Sequence, residues 1–417
     1  MNVLDPLPQT NTPSQHNTRI HRRWIAAYAL YTAATNATFT QAVWVVYLYQ
    51  HGYSPFAIGL FEMIFHIGKF IAEVPTGIFA DLIGRRASLM VSCVLGVLTK
   101  LFFLHPVAPL LAASFALEGV AYAFRGGADS ALLWTLAERS QPADVARRYS
   151  TLFSRMLLVT IFAQTLTTAS GGFLSAVTSV LPFLCAGLAS ALAIVPLLML
   201  PEQRGASRHD THPVRHLATG LRVAWQDPAL LGLVLLSGLT ASVVTTVGYY
   251  TQLYFASLGY TLAAIGLIIA ASVVPDSVGA AITPRLLRAM PRLRLLIVFT
   301  FIEALGVLAM AADSPWLALA GFLVLLRLGD GVLYPAISSS LNERSPEAQR
   351  ATVLSFETGL FSATMIVLFP LFGLGLSHAS YTTVYGWTFA ALVLGGLAIG
   401  LFTWLRLRRT GLAAVTT

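Results

Sequence analysis

Ionisable side chains recur at helical spacing inside stretches of this chain that are otherwise apolar. Two sets of four residues share the spacing i, i+4, i+7 and i+11: Glu62, His66, Lys69 and Glu73, and Glu118, Tyr122, Arg125 and Asp129. This spacing places each set on one face of a helix. A charge in hydrocarbon costs about 3 kcal/mol or more, so each group needs a partner, a water-filled cavity or a function. The chemistry open to them is ion pairing, proton binding and contact with a polar solute.

The elements that carry these side chains are predicted to be membrane-spanning helices. The 417-residue chain is 56% hydrophobic and only 11% charged, and its mean hydropathy is +0.72. A soluble protein carries about 25% charged residues. Apolar stretches of roughly 20 residues, the length that crosses a bilayer, lie near residues 24–49, 57–80, 87–104, 109–134, 149–175, 181–200, 229–256, 262–284, 295–311, 316–341, 352–376 and 382–405. We therefore predict an all-α integral membrane protein with twelve spans.

The distribution of positive charge predicts the orientation of these spans. The chain has 26 Lys and Arg residues, and they concentrate at the two termini and in every second connection. The alternate connections, near 50–56, 105–108, 176–180, 257–261, 312–316 and 378–381, contain none. The positive-inside rule then places both termini in the cytoplasm and requires an even number of spans. The net charge of +8 is thus explained by topology and contact with anionic lipid, and we expect no nucleic-acid partner.

Internal similarity predicts two pseudo-symmetric halves of six helices each. The sequence Leu-Ala-Glu-Arg-Ser at 136–140 returns at 341–345 as Leu-Asn-Glu-Arg-Ser, an offset of 205 residues. A polar connection with several Pro and Arg residues separates the two copies. The predicted organisation is a cytoplasmic tail (1–23), an N-terminal half (24–200), a cytoplasmic linker (201–228), a C-terminal half (229–405) and a second tail (406–417).

A motif between the second and third predicted spans carries a family resemblance. Residues 77–86 read Gly-x-x-x-Asp-x-x-Gly-Arg-Arg, which resembles the signature of the major facilitator superfamily. Glycine lets helix ends approach closely and turn sharply. The resemblance implies alternating access, with a cytoplasmic latch that closes when the binding site faces outward. The predicted latch residues are Gly77, Asp81, Gly84, Arg85, Arg86, Asp129, Glu138, Arg155 and Glu357.

The same resemblance implies a central cavity lined by helices 1, 4, 7 and 10. It places Asn36, Gln41, Glu118, Tyr122, Arg125, Tyr249, Arg327 and Asp330 at that cavity. Asp276 and Glu303 have no obvious partner on their own helices, and an acid buried without a partner suits proton carriage. The predicted substrate-binding or proton-coupling residues are Asn36, Gln41, Lys69, Glu73, Glu118, Tyr122, Arg125, Tyr249, Asp276, Glu303, Arg327 and Asp330.

Several of the intramembrane charges have simpler structural interpretations. Asp129 and Arg155 lie equally far from the connection near residue 142, so neighbouring antiparallel helices would pair them. Lys69 and Glu73 could neutralise each other at i, i+4. Lys100 is expected to extend its ammonium group to the outer interface. Glu62 lies near that interface too, and its solvation stays open.

The most favoured function is proton-coupled efflux of a small amphipathic compound or drug across the cell inner membrane or plasma membrane. A proton symporter that takes up a small anionic or zwitterionic solute is the first alternative, and a non-transporting membrane sensor is another. No phosphate loop, dinucleotide fingerprint or nucleophile elbow is found, so we expect neither an enzyme nor a cofactor. The expected partners are a small-molecule substrate, protons and membrane lipid, with a monomer as the functional unit.

Overall fold

The computed structural model describes residues 15–202 and 213–409, and these residues are almost entirely helical. We call residues 15–202 the N-terminal part and residues 213–409 the C-terminal part. Helices satisfy all their backbone hydrogen bonds internally, as a segment in hydrocarbon must. The helices of the N-terminal part are α1 (Gln15–Thr35), α2 (Trp44–Gln50), α3 (Pro55–Leu82), α4 (Arg85–Phe102), α5 (Ala108–Arg125), α6 (Ala128–Ser140), α7 (Val145–Val177) and α8 (Leu181–Leu198). Those of the C-terminal part are α9 (Pro213–Gln226), α10 (Pro228–Ser257), α11 (Leu262–Ala271), α12 (Val273–Ala289), α13 (Arg292–Met310), α14 (Pro315–Ala320), α15 (Arg327–Arg344), α16 (Arg350–His378) and α17 (Tyr381–Arg409).

Nine helical segments of the described residues are long and apolar enough to cross a membrane. They are Pro55–Leu82, Val145–Val177, Leu181–Leu198, Pro228–Ser257, Leu262–Ala289, Arg292–Met310, Pro315–Arg344, Thr352–His378 and Tyr381–Arg408. A π-helical turn, Gly321–Leu326, joins α14 to α15 inside one of them. Three predicted spans are not among the nine: the first (α1 and α2), the third (α4) and the fourth (α5 and α6).

Two of the predicted continuous spans are broken. The first was expected over 24–49, but its helix ends at Thr35 and resumes at Trp44. Polar side chains bond the backbone groups that the break leaves without helical partners. The Asn36 side chain donates to the carbonyl of Thr32 (2.8 Å). The amide of Thr38 donates to Thr167 Oγ1 (2.8 Å). The fourth was expected over 109–134, but it breaks at Gly127, whose φ of +67° favours glycine.

The two parts contact each other closely at one end of the bundle. Glycine has no side chain, so two backbones can approach each other there. A Cβ on Gly59 of α3 would lie 2.7 Å from Pro370 Cα of α16, and one on Gly373 would lie 2.3 Å from the carbonyl oxygen of Pro55. A Cβ on Gly172 of α7 would lie 2.4 Å from the carbonyl oxygen of Leu262. These contacts lie beside connections that contain no Lys or Arg.

An aromatic cluster and a bridging amide complete this closed end. Trp44 stacks on Phe369 with ring centroids 6.4 Å apart and meets Tyr249 edge-on at 5.4 Å. The side chain of Gln252 donates to the Gln41 carbonyl (2.8 Å) and accepts from the Val45 amide (3.1 Å). The broken first span is therefore fixed to α10 across the boundary between the parts.

Candidate functional site

The signature turn between α3 and α4 is anchored by an acid that sequence reasoning missed. Gly84 has a φ of +141°, and a Cβ there would lie 2.2 Å from a carboxylate oxygen of Glu202. The same carboxylate accepts from the amide and from Nε of Arg86, both at 3.1 Å, and Arg86 also donates to the carbonyl of Leu200 (2.9 Å). Gly84 is thus favoured by its backbone angle, and the carboxylate of Glu202 occupies the space beside it.

Other predicted latch residues have different surroundings from those expected. Gly77 faces open space, so it allows no close helix contact here. Arg85 donates to the carbonyl of Ala131 (3.2 Å), whereas Asp81 forms no ion pair within the described residues. Glu138 is exposed, and Arg86 pairs with Glu202 rather than with Asp129 or Glu138.

Asp129 pairs with Arg125 and not with Arg155, so that predicted ion pair is wrong. Arg125 Nε lies 3.5 Å from the Asp129 carboxylate, and Arg125 also donates to the carbonyl of Thr35 (3.3 Å). The hydroxyl of Tyr31, which is buried, donates to the same carboxylate (2.7 Å). Arg155 is exposed, because its position on α7 turns it away from this cluster. The Arg125–Asp129 pair joins α1, α5 and α6.

A second charged pair of the N-terminal part joins α4 to α5. Lys100 Nζ lies 2.8 Å from the carboxylate of Glu118, which also accepts from the hydroxyl of Thr99 (2.6 Å). Lys100 therefore turns to Glu118 on the neighbouring helix, and the expectation that it extends to the interface is wrong. Sequence reasoning missed this pair, because Lys100 and Glu118 lie at unequal distances from the connection at 105–108.

Lys69 contacts an aromatic ring instead of its predicted partner. Its ammonium group lies over the ring of Tyr122, 4.7 Å from the centroid, and Glu73 is exposed. No acidic side chain of the described residues lies within 4 Å of Lys69. Lys69 and Glu73 therefore do not form the expected close ion pair in this conformation.

Glu62 and His66 form a buried contact on α3. The Glu62 carboxylate lies 3.6 Å from His66 Nε2, and both side chains are buried. The His66 ring meets Phe361 of α16 edge-on, with centroids 5.8 Å apart. Glu62 therefore belongs to the protein interior, which settles the question that the sequence left open.

Four predicted residues of the C-terminal part come together into one cluster of three acids and one guanidinium group. Arg327 of α15 donates to the carboxylate of Asp276 on α12, and its Nη1 lies 3.5 Å from that of Asp330. Glycines permit this proximity, because a Cβ on Gly331 would lie 2.3 Å from the carbonyl oxygen of Asp276. Asp276, Arg327 and Asp330 each keep about a quarter of their side-chain surface exposed.

Glu303 is the fourth member of this acidic cluster (Asp276, Glu303, Arg327 and Asp330). Its side chain from α13 is fully buried and lies against Gly329, where a Cβ would be 2.6 Å from Glu303 Cγ. Neither carboxylate oxygen has a hydrogen-bond partner among the described residues. An ionised carboxylate without partners is costly in such a place. The carboxyl group of Glu303 can hold a proton, and Arg327 pairs with the other two acids of the cluster.

Two of the remaining predicted residues, Gln41 and Tyr249, lie at the boundary between the two parts. Asn36 caps the end of α1, and the carbonyl of Gln41 accepts from Gln252. Tyr249 lies against Trp44. Glu357 of α16 accepts a hydrogen bond from the Ser237 hydroxyl of α10 (2.5 Å). No cluster of His, Cys, Asp and Glu suited to a metal ion occurs in the described ranges.

Comparison with known proteins identifies the family. The family model of the Major Facilitator Superfamily matches residues 25–270 and 251–416. The chain is 23% identical over 347 residues to the uncharacterized MFS-type transporter YxaM of Bacillus subtilis (strain 168), an alignment that covers 80% of this chain and 84% of YxaM. The helices superpose on the nucleoside transporter NupG with a TM-score of 0.71 at 13% identity, covering 92% of this chain and 98% of NupG. They superpose on a D-xylose-proton symporter with a TM-score of 0.65 at 18% identity, covering 93% and 96%. The chain therefore belongs to the Major Facilitator Superfamily, a family of multi-pass membrane transporters and not of enzymes.

Proposed function

We propose that this secondary transporter exports a small amphipathic compound from the cytoplasm in exchange for protons. The acidic cluster carries this proposal, above all the buried and unpartnered carboxyl group of Glu303. Asp276 and Asp330 share the guanidinium group of Arg327 while Glu303 has no partner, so Arg327 does not neutralise all three acids. A proton that binds one acid changes which of the others Arg327 must pair with, and this redistribution can be coupled to movement of the helices.

The proposed topology has twelve spans with both termini in the cytoplasm. It adds three spans to the nine that length and hydropathy identify: α1 with α2, α4, and α5 with α6. Residues 24–200 and 229–405 form the two six-helix halves, joined by the linker at 201–228. In this arrangement the contacts at Gly59, Gly172 and Gly373 lie at the outer end, so the described conformation faces the cytoplasm.

Alternating access then requires the outer contacts to separate and a cytoplasmic latch to form. The glycine contacts and the Trp44 cluster would open, and the signature turn would approach the C-terminal half. In the described conformation Arg86 is held by Glu202 of its own part. We propose that the predicted latch residues act in the opposite conformation, with Gly84 and Arg86 keeping the turn in shape.

Proton-coupled uptake of an anionic or zwitterionic solute is the alternative that a specific observation favours. The ammonium group of Lys69 has no acidic partner within the described residues and could contact an anionic group. A D-xylose-proton symporter is among the structures with this fold, although the likeness extends to the fold alone. A non-transporting sensor would show neither solute flux nor a response to a proton gradient.

Transport by the purified full-length protein in proteoliposomes distinguishes these functions. A panel of lipophilic cations, macrolides, sugars and aromatic carboxylates is tested for uptake under imposed pH gradients of either sign. The lumen of a vesicle stands for the outside of the cell when the protein inserts with its cytoplasmic face outward. Antiport then predicts accumulation when the lumen is acidic, and symport predicts accumulation when the lumen is alkaline. Flux that ignores the gradient for every solute would overturn proton coupling.

The proposed orientation has its own test. Single cysteines are placed at His51 and His378, in connections without Lys or Arg, in a variant that lacks Cys93 and Cys185. Labelling of intact cells with a membrane-impermeant maleimide is expected at both sites. Labelling that occurs only after the membrane is permeabilised would reverse the topology.

A further inference from the structure

We propose that Glu62 on α3 is a proton-binding site in addition to the acidic cluster, and that it holds a proton whenever the outer end of the transporter is closed. His66 is its positioning residue. This inference rests on the proposed topology and on the proposed separation of the outer contacts. It does not depend on the solute or on which acid couples transport to the proton gradient. The pH outside the cell then controls how readily the transporter opens to that side.

The two side chains lie on the face of α3 that packs against the C-terminal part. Gly59, Glu62 and His66 follow one another at spacings of three and four residues, which places them on one face of the helix. A Cβ on Gly59 would lie 2.7 Å from Pro370 Cα of α16. The His66 ring meets Phe361 of the same helix, with centroids 5.8 Å apart. Glu62 therefore lies inside the boundary that opens when the two parts separate.

In the closed conformation Glu62 has little access to water. Its side chain is 9% exposed, and that of His66 is 4% exposed. His66 Nε2 lies 3.6 Å from a Glu62 carboxylate oxygen, and no other basic nitrogen of the described residues is within 4 Å of that carboxylate. Only a charged imidazole ring can therefore neutralise an ionised Glu62 at close range.

The surroundings of His66 favour an uncharged ring. A charged ring carries a hydrogen on both nitrogens, and each hydrogen needs an acceptor. His66 Nδ1 is buried and has no hydrogen-bond partner among the described residues, so a hydrogen on it would be unsatisfied. The neutral ring that suits this site carries its hydrogen on Nε2, the nitrogen beside Glu62. His66 can then orient the Glu62 carboxyl group, but it does not cancel a negative charge.

The other titratable groups near the outer half of α3 do not neutralise Glu62 either. They are Tyr47 and His51 on α2, Tyr53 in the connection to α3, Lys100 on α4, Glu118 and Tyr122 on α5, Tyr249 and Tyr250 on α10, and Glu357 on α16. Lys100 pairs with Glu118. Lys69 lies two turns beyond Glu62 on α3, and Glu73 follows it one turn later. An ionised Glu62 would therefore add a negative charge that no neighbouring group of this set cancels.

The cost of that charge links the proton to the conformation. A charge without a partner in the hydrocarbon region costs about 3 kcal/mol or more, so the closed outer end favours protonated Glu62. Separation of α3 from α16 hydrates the carboxyl group, which then releases its proton to the outside water. Because the closed conformation binds the extra proton, it is favoured as the pH falls and disfavoured as the pH rises. One such proton changes the ratio of closed to open molecules by up to about tenfold per pH unit.

Distances between spin labels across the outer end test this inference. The labels are attached to His105→Cys and His378→Cys, two exposed positions in outer connections of the two parts, in a protein that lacks Cys93 and Cys185. Double electron–electron resonance is recorded on the detergent-purified full-length protein from about pH 5 to about pH 9, without solute or gradient. We expect a short distance at low pH and a growing population of longer distances as the pH rises.

Three kinds of variant assign this response to Glu62. Glu62→Gln and Glu62→Met bind no proton there, so both should keep the short distance across the whole range. His66→Gln retains an amide hydrogen for Glu62 and should keep the pH response, because Glu62 binds the proton. Asp313→Asn is the matched control, since Asp313 is an exposed acid in another outer connection, and it should respond as the wild-type protein does.

A wild-type distance that ignores pH would overturn the proposal, as would a wild-type response in the Glu62 variants or a lost response in His66→Gln. Glu303→Gln should keep the distance change even if it loses gradient-driven transport. Loss of the distance change in Glu303→Gln alone would assign the proton to the acidic cluster and contradict the inference. Because the measurement needs neither a membrane nor a solute, its failure is distinct from a failure of the proposed antiport or orientation.

Discussion

Two ion pairs of the N-terminal part, Lys100–Glu118 and Arg125–Asp129, are matched one to one, whereas the acids of the acidic cluster in the C-terminal part outnumber their cation. In the N-terminal part, Lys100 pairs with Glu118 and Arg125 with Asp129, and hydroxyl groups of Thr99 and Tyr31 complete each pair. In the C-terminal part, Arg327 serves both Asp276 and Asp330 while Glu303 has no partner among the described residues. The two pairs are therefore electrostatically matched, whereas the acidic cluster can change its protonation.

This difference does not follow from the number of intramembrane charges, which is larger in the N-terminal part. It arises from which helices the charges connect. The pairs of the N-terminal part join helices that adjoin along the chain, whereas the acidic cluster draws its members from α12, α13 and α15. A cluster that spans three helices can change its pairing when those helices shift, which a pair fixed across one connection cannot do as readily.

Replacement of Glu303 by Gln should have the largest effect on function. Gln keeps the size of the side chain but cannot release a proton. We expect gradient-driven accumulation of a responsive solute to fall to the level seen without a gradient, while exchange of solute at equal pH continues. The measurement is uptake into proteoliposomes with and without the pH gradient.

Glu343→Gln is the matched control for this replacement, since Glu343 lies at the exposed end of α15 and pairs with Arg292 (2.6 Å). It should respond to the gradient as the wild-type protein does. If Glu303→Gln also keeps its full gradient response, Glu303 does not carry the coupling proton. The excess of acids in the acidic cluster would then have no role in coupling through this residue.

Gly331→Ala should cause the largest loss of stability, because the new Cβ would lie 2.3 Å from the carbonyl oxygen of Asp276. The backbone of α12 cannot yield as a flexible side chain would, so we expect a cost of about 3 kcal/mol. Gly77→Ala is the control, since a Cβ there meets nothing within 4 Å. Thermal unfolding in detergent should show a lower midpoint for Gly331→Ala alone. Equal midpoints would contradict the close approach of α12 and α15.

Local patterns in the sequence predicted the helices of this fold better than they predicted which charged side chains pair. Apolar stretches located the helices, and the signature motif gave the family, because both depend on residues close together in the chain. The break at 36–43 was missed because it depends on Thr167 and Gly171 of α7, which lie far along the sequence.

The candidate site shows the same limit. The sequence identified four charged residues in apolar helices: Asp276, Glu303, Arg327 and Asp330. Their spacing does not predict that Arg327 pairs with Asp276. Glu202 was missed because it lies outside the spans, where an acid is ordinary. The symmetry argument applied to Asp129 and Arg155 does not find the Lys100–Glu118 pair, because these two residues lie at unequal distances from the connection at 105–108.

Tyr31→Phe should destabilise the N-terminal part by a smaller amount. It removes the hydroxyl group that donates to the Asp129 carboxylate at 2.7 Å, and the side chain is buried, so we expect a loss of about 2 kcal/mol. Tyr53→Phe, which removes a bond to the Pro106 carbonyl from a less buried residue, should cost less. Both are measured by thermal unfolding. An equal cost for the two variants would show that the charge of Asp129 adds nothing to the bond.

Arg155→Met should have the smallest effect, within about 0.5 kcal/mol, because the side chain is exposed. Arg125→Met is its counterpart and should cost several-fold more, since it leaves Asp129 without a cation. The comparison also tests whether Asp129 changes partner during transport. Alternating access moves whole halves as near-rigid bodies, and Arg155 lies in the same part as Asp129, so the Arg125–Asp129 pair should persist in both conformations. If Arg155→Met slowed transport as strongly as Arg125→Met while leaving stability unchanged, Asp129 would have to exchange Arg125 for Arg155 within its own half. The Arg125–Asp129 pair could then no longer be regarded as fixed.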